Sequence, residues 1–205
     1  MEYIMPEYEV TVGSSFFNAI KERTKDTITY EGKVKELPVI KELGLTRTMS
    51  ELEIFASGIT FDYINQTAGA EIALKAVVLP PELINMLEGA QEKDGFTISR
   101  TNDIGREFAF GYWGEYSDKS LVYYWHPVCK LVPADEKHAT RTKDIPDPEA
   151  DYKIKIIPFN GIWRVKYSTK KAKDEGLDVL TKDDFFAKPI YNENDLPQAA
   201  IPPTP

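Results

Sequence analysis

Cysteine is nearly absent. Cys129 is the single one in 205 residues, so no internal disulfide can form, and the cytosol is the expected compartment. No stretch is long and apolar enough to cross a membrane or to serve as a secretion signal, so no membrane partner is expected. Positive charge is in deficit: 25 Lys and Arg stand against 33 Asp and Glu, a formal net charge of −8. Simple neutralisation of a phosphate backbone needs a surplus of Lys and Arg on one face, so specific nucleic-acid binding is not expected either. Also missing are a repeat of fixed period, a coiled-coil heptad, a phosphate-cradling glycine loop, a nucleophile elbow and an H-E-x-x-H helix.

What is present describes one sizeable core, with 42% hydrophobic and 12% aromatic residues, and predicts one domain plus arms. The most informative stretch is 57–95. Ile59, Phe61 and Tyr63, then Ile72, Leu74, Ala76 and Val78, alternate as strands with one buried face do. Between them, residues 65–69 carry turn chemistry, which predicts two neighbouring antiparallel strands. Pro80 and Pro81 stop the second strand and suit a first helical turn; Leu83, Ile84 and Leu87 follow at helical spacing up to Gly89.

Upstream, Ser14, Phe16, Phe17 and Ile20, then Ile28 and Tyr30, read as two short strands flanking a charged turn, and Gly32 allows a reversal. Residues 33–43 read as an edge strand or one broken at Pro38. Residues 46–53 are polar and read as a long loop that orders against something else. Downstream, Asp94 and Gly95 make a turn, residues 101–105 make another, and Phe108, Phe110 and Tyr112 alternate. Residues 121–131, LVYYWHPVCKL, form an apolar β run in which Pro127 marks a kink or an edge. Residues 133–150, polar and with three prolines, make a second long excursion before the alternation of Tyr152, Ile154 and Ile156. Trp163 and Val165 mark one more strand, followed by a charged run and a Pro-, Asn- and Asp-rich end. The predicted organisation is a β domain over 1–160, with 1–12 an arm or a first strand, and a C-terminal extension or arm over 161–205.

Candidate chemistry is sparse. Ser168 and Lys171 match S-x-x-K, but the companion motifs of acylating enzymes are missing and a solvated face is the better reading. His126 and Cys129 have a zinc-like spacing, yet a structural site needs four ligands and His138 is the one other histidine, so a buried thiol beside an ordinary histidine is expected. Asp147 with Glu149, and Asp183 with Asp184, are carboxylate pairs in segments that signal no pocket, and read as surface loops. No catalytic residue, cofactor or metal is expected. Tyr112, Trp113 and Tyr116, with Tyr123, Tyr124 and Trp125, lie on alternating strands that turn about half their rings outward, toward a subunit interface in preference to a platform for sugars or bases.

The order of segments resembles a known family. Residues 53–83, EIFASGITFDYINQTAGAEIALKAVVLPPEL, are similar to the core of the major tail proteins of long-tailed phages: a strand, a glycine-containing turn, a long strand ending in proline, then a helix. Residues 120–158 resemble that family's aromatic strand, polar excursion and last strand. The chain departs from the family in continuing well beyond Pro158 with no second immunoglobulin-like domain. The resemblance implies a mainly β fold, a β-sandwich or open β-barrel of the tail-tube type with one short flanking α-helix and extended loops or arms. It further implies a virion protein, made in the host cytoplasm, whose hexameric rings stack into a tail tube. Its partners would be copies of itself and other tail proteins (tape measure, tail terminator and distal tail), with DNA passing through the lumen without specific binding. Two polar loops are then expected to make inter-subunit contacts, through Thr46, Arg47, Thr48, Ser50, Glu51 and Glu53 in one and Lys137, Arg141 and Lys143 in the other. The alternatives are a carbohydrate-binding module of an adsorption device, and a tail-terminator or secretion-tube ring protein of the same fold.

Overall fold

The computed structural model describes residues 8–56, 59–133 and 149–197, and of residues 52–65 the backbone alone. Eleven strands dominate: β1 (Glu9–Arg23), β2 (Ile28–Tyr30), β3 (Lys35–Leu37), β4 (Ile40–Ala56), β5 (Ile59–Ala76), β6 (Gln91–Lys93), β7 (Phe96–Ile98), β8 (Glu107–Tyr116), β9 (Leu121–Val132), β10 (Ala150–Ile156) and β11 (Val165–Ser168). Three short helices accompany them, α1 (Pro81–Glu88), α2 (Thr169–Asp174) and α3 (Lys182–Phe186), where the sequence predicted one. The fold is mainly β. Its large antiparallel sheet runs β2-β1-β8-β9-β10-β5-β4, with β3 also on β1 and β11 also on β9, and it does not close into a barrel.

The predicted alternations hold where they were strongest. Phe108, Phe110 and Tyr112 on β8, and Tyr152, Ile154 and Ile156 on β10, turn into one core with Phe17 of β1 and Ile72 and Leu74 of β5. Strands from both ends of the sheet share this core, since Val12 of β1 and Leu43 and Leu45 of β4 also pack on it, so the sheet must bend around it. Helix α1 adds Leu83 and Leu87. Pro81 opens that helix, and Gly89 ends it at φ 85°. A side chain at Gly89 would be strained by that angle and would also strike the Ile104 carbonyl. The Tyr152 hydroxyl accepts a hydrogen bond from the Leu79 amide at 3.1 Å, tying the approach to α1 onto β10.

Of the kink or edge expected at Pro127, the strand shows a kink. Phe108 pairs with Cys129 but Phe110 with His126, so β9 carries one extra residue there, a β-bulge. The bulge reverses side-chain parity: Val122 and Tyr124 face the core before it, Cys129 and Leu131 after it. It is also where the neighbour of β9 changes from β11, paired at 122–125, to β10, paired at 129–132. A proline that donates no hydrogen bond suits that gap, and its carbonyl accepts from the Tyr30 hydroxyl at 3.1 Å.

Several expectations are corrected. Residues 65–69 are not a turn but lie inside the 18-residue strand β5, where Thr48 pairs with Gly69 and Met49 with Thr67, leaving Ala68 as a bulge. The turn-forming side chains were overridden because β4 supplies a ladder partner on both sides of the irregularity. Residues 46–53 are likewise not a loop but part of the 17-residue strand β4. Polar side chains are no obstacle to a strand whose hydrogen bonds come from the backbone. The chain does break at Pro38, between β3 and β4. Val78, expected to continue the strand alternation, follows the end of β5 and is exposed.

Of the C-terminal extension or arm, the described residues 161–197 pack on the domain. β11 pairs with β9, and Phe185, Phe186 and Ile190 are buried on the face of β1, β8 and β9 that points away from α1. Phe186 stacks on Phe16 with ring centroids 3.8 Å apart, and the Trp125 indole N–H donates to the Phe185 carbonyl at 3.2 Å. Of the six rings expected to lie about half outward, Tyr123 and Trp125 are buried beneath this layer and Tyr112 and Tyr124 in the first core, while Trp113 and Tyr116 are half-buried. Trp163 and Val165, expected to mark one strand, are separated, because Trp163 lies in the bend before β11 and packs on the first core while Val165 begins β11 and packs on the second.

Candidate interaction surface

Strand β10 pairs with β5 only from Ala70 to Ala76. Beyond Ala70, β5 and β4 pair with each other alone, from Thr48↔Gly69 to Ala56↔Ile59, with no third strand among the described residues. At ~3.3 Å per residue this two-stranded ribbon reaches roughly 30 Å from the sheet. A hairpin of that kind is marginal in water unless another surface covers it. Its described side chains carry little apolar area toward their own domain: Thr48, Met49, Ser50, Glu51, Gln66 and Ala68 are all exposed.

The structure therefore gathers six of the predicted contact residues on one strand. Thr46, Arg47, Thr48, Ser50, Glu51 and Glu53 lie along β4, opposite Glu71, Ala70, Gly69, Gln66, Asn65 and Tyr63 of β5. Lys137, Arg141 and Lys143 lie outside the described residues, as does His138.

At the base of the ribbon the pattern on β4 changes character. Leu43 and Leu45 face the core, and the next residue on that face is Arg47, whose guanidinium carbon lies 5.3 Å from the centre of the Trp163 ring. Arg164 approaches the same ring to 4.6 Å and also covers Tyr124 at 5.8 Å. Lys166 continues the series over Tyr124 and Tyr116, at 5.8 and 5.9 Å. Cations over ring faces at such distances are attracted by the ring quadrupole, by about 0.5–1 kcal/mol each where water reaches them. Beside them lies a cleft of about 520 Å³ between the starts of β1 and β4, which approach without pairing; Glu9, Lys41, Tyr112, Tyr124 and Arg164 are among its walls. Burial pushes the Glu9 carboxyl above its ordinary range, and the nearby Lys166 charge partly opposes this.

No model of a known protein family matches the chain, and no curated protein matches its sequence.

The other sequence candidates resolve into structural roles. Ser168 caps α2, its hydroxyl accepting from the Lys171 amide, so the S-x-x-K pair is a helix start. Thr181 caps α3 by accepting from the Asp184 amide, and its hydroxyl donates to the Asp184 carboxylate at 2.6 Å, so Asp183 and Asp184 occupy a first helical turn. Glu149 bonds Lys75 at 2.9 Å and Lys41 at 3.8 Å, while Asp147 lies outside the described residues. Among the described residues no group of three or more His, Cys, Asp or Glu is arranged to hold a metal. Cys129 is fully buried, which pushes its thiol pKa up, and its sulfur lies 3.7 Å from the His126 carbonyl.

His126 is the described titratable group with a consequence at ordinary pH. Its ring is buried; Nδ1–H donates to the Trp163 carbonyl at 3.0 Å, and Nε2 has no partner among the described residues. Burial pulls its pKa down to about 4, with the Trp163 hydrogen bond opposing and the Arg164 charge assisting. The folded protein keeps this histidine neutral where the unfolded chain, near 6.5, takes up a proton. Stability from this group is complete above pH 6.5 and is lost as pH falls toward 4, by at most about 1.4 kcal/mol per pH unit. Urea unfolding at pH 7 and pH 5 is expected to show that loss, and His126→Gln is expected to flatten the profile in the window; an unchanged slope in the variant refutes the assignment.

Sequence reading did not single out Arg164 and Lys166, whose charges lie over the rings of Trp163, Tyr124 and Tyr116. The signal was available locally, since in 162–167, IWRVKY, the cations at 164 and 166 alternate with Val165 and Tyr167. That Arg47 meets them is a tertiary fact with no counterpart in the sequence.

Proposed function

We propose that this chain is a structural subunit that assembles with copies of itself into hexameric rings stacked as the hollow tail tube of a phage, with DNA passing through the lumen. The unsupported ribbon of β4 and β5 carries the reading: some 30 Å of paired backbone with polar, exposed described side chains and two unpaired edges finds its stabilising contacts in a neighbour. The open sheet adds to it, because association between copies covers edges that would otherwise pair without control. The order of a long strand, two prolines and a short helix, present as β5, Pro80–Pro81 and α1, agrees with the resemblance to major tail proteins. A net charge of −8 suits a lumen through which phosphates slide without adhering. The tape measure, terminator and distal tail proteins are the further partners this role entails.

The carbohydrate-binding alternative loses its main support, since Tyr112, Tyr123, Tyr124 and Trp125 are buried within the chain and offer no row of outward rings. A single-ring protein of the same fold is the closer rival, and electron microscopy separates the two. Concentrated protein is expected to form rings that stack into tubes; rings that never stack indicate a terminator, and persistent monomers at every concentration and salt refute self-assembly.

A further inference from the structure

Arg47 and Arg164 come from distant parts of the chain, yet their guanidiniums meet on one indole, at 5.3 and 4.6 Å from the centre of Trp163. Neither has a carboxylate partner among the described residues, in a protein where acids outnumber bases by 33 to 25. Two like charges gathered on a ring, neither in ion-pair contact with a carboxylate among the described residues, leave both guanidiniums open to an anion. The planar guanidinium matches a carboxylate fork to fork, and the indole between the two offers an apolar surface.

The same chain carries a feature of matching character. The end of α2 and the start of its connection to α3, residues 174–179, expose Asp174 and Asp178, neither with an ion-pair partner among the described residues, together with Leu177 and Val179, each 38% exposed. Its shape is held by Gly176 at φ 72°, by the Leu177 amide on the Ala172 carbonyl, and by the Leu180 amide on the Tyr167 hydroxyl at 2.9 Å. Such a preformed knob loses little freedom on docking. It also lies on the wrong side for its own receptor. Tyr167, which holds the loop, packs with Tyr123 in the second core, whereas Arg164 covers Tyr124 on the opposite face of β9.

We propose that Arg47, Trp163 and Arg164 form a receptor for the acidic 174–179 loop of a second copy of this chain. The contact is head to tail, because receptor and loop are different surfaces, and repetition of such a contact generates closed rings or filaments. It rests on the self-assembly reading above and adds which surfaces meet and by what chemistry.

Charge exchange tests it. In sedimentation velocity at low salt, Arg164→Glu and Asp178→Lys are each expected to raise the concentration needed for assembly by at least about tenfold, and the double variant to return within about threefold of the parent. Arg164→Gln, which keeps a polar side chain and removes its charge, is expected to shift assembly in the same direction with near-UV circular dichroism unchanged. Single variants that assemble like the parent overturn the receptor and leave the tube reading standing. A double variant no better than either single overturns the loop as occupant, and with it the proposal. A parent chain that never assembles overturns both readings together.

Discussion

Ending the chain at Asn160 is expected to abolish cooperative folding. The removed segment contributes Phe185, Phe186 and Ile190, which are 1%, 4% and 0% exposed, and its loss uncovers Trp125, Tyr123 and Phe16 beneath them. At about 1.5–3 kcal/mol for each large side chain returned to water, the three buried residues alone amount to roughly 5–9 kcal/mol, comparable with the whole stability of a typical domain. The sheet itself is shaped for this layer. A Cβ at Gly111 would strike both Phe186 and Trp125 at about 2.9 Å, so the strand leaves out a side chain where the two rings converge. Thermal unfolding of residues 1–160 followed by circular dichroism decides the matter: a sharp transition near that of the full chain shows an appendage, whereas its absence, with exposed apolar surface binding a dye, shows a layer of the domain.

Excising the ribbon is expected to do the opposite, sparing the fold and eliminating assembly. Met49 and Thr67 face each other in the ladder, so a two-residue Asn-Gly turn joining them closes a regular hairpin in place of residues 50–66. The retained strands keep Ala70, Ile72, Leu74 and Ala76, the residues of β5 in the core, with Leu43 and Leu45 of β4. The thermal midpoint should move by only a few degrees, about what 1 kcal/mol produces in a domain of this size. Light scattering and microscopy should show monomers at concentrations where the parent forms rings or tubes. A variant that assembles normally removes the ribbon from the proposed interface; one that unfolds shows that the ribbon supports its own domain.

The two experiments divide the molecule along a line the amino-acid order did not draw. Polar composition made 46–53 read as a loop and, beyond the strand marked by Trp163 and Val165, made 161–205 read as an extension or arm, and both readings gave hydrophilic side chains weight against regular structure. In β4 the backbone ladder is indifferent to side-chain polarity, and in the C-terminal segment a few well-placed apolar residues, Phe185, Phe186 and Ile190, anchor a stretch that is otherwise charged. The residues of β4 expected to make contacts were grouped as a loop, and their alignment along one projecting strand emerged only with the register.

Local chemistry determined a good deal without help. Two adjacent prolines, the spacing of Leu83 and Leu87 and a glycine at the end define α1, because each acts through the backbone of its own neighbours. Alternation defined the buried faces of β8 and β10 for the same reason. The apolar-rich run of β9 was legible as a strand, but why it is apolar on both faces required the fold: that strand has a core on each side, and a bulge at Pro127 exchanges which residues face which. Tertiary structure alone decided that Arg47 and Arg164 share an indole, that the aromatic rings turn inward, and that one hairpin stands clear of the sheet. Those are meetings between residues far apart in sequence, and no local preference encodes which distant surface a side chain will touch.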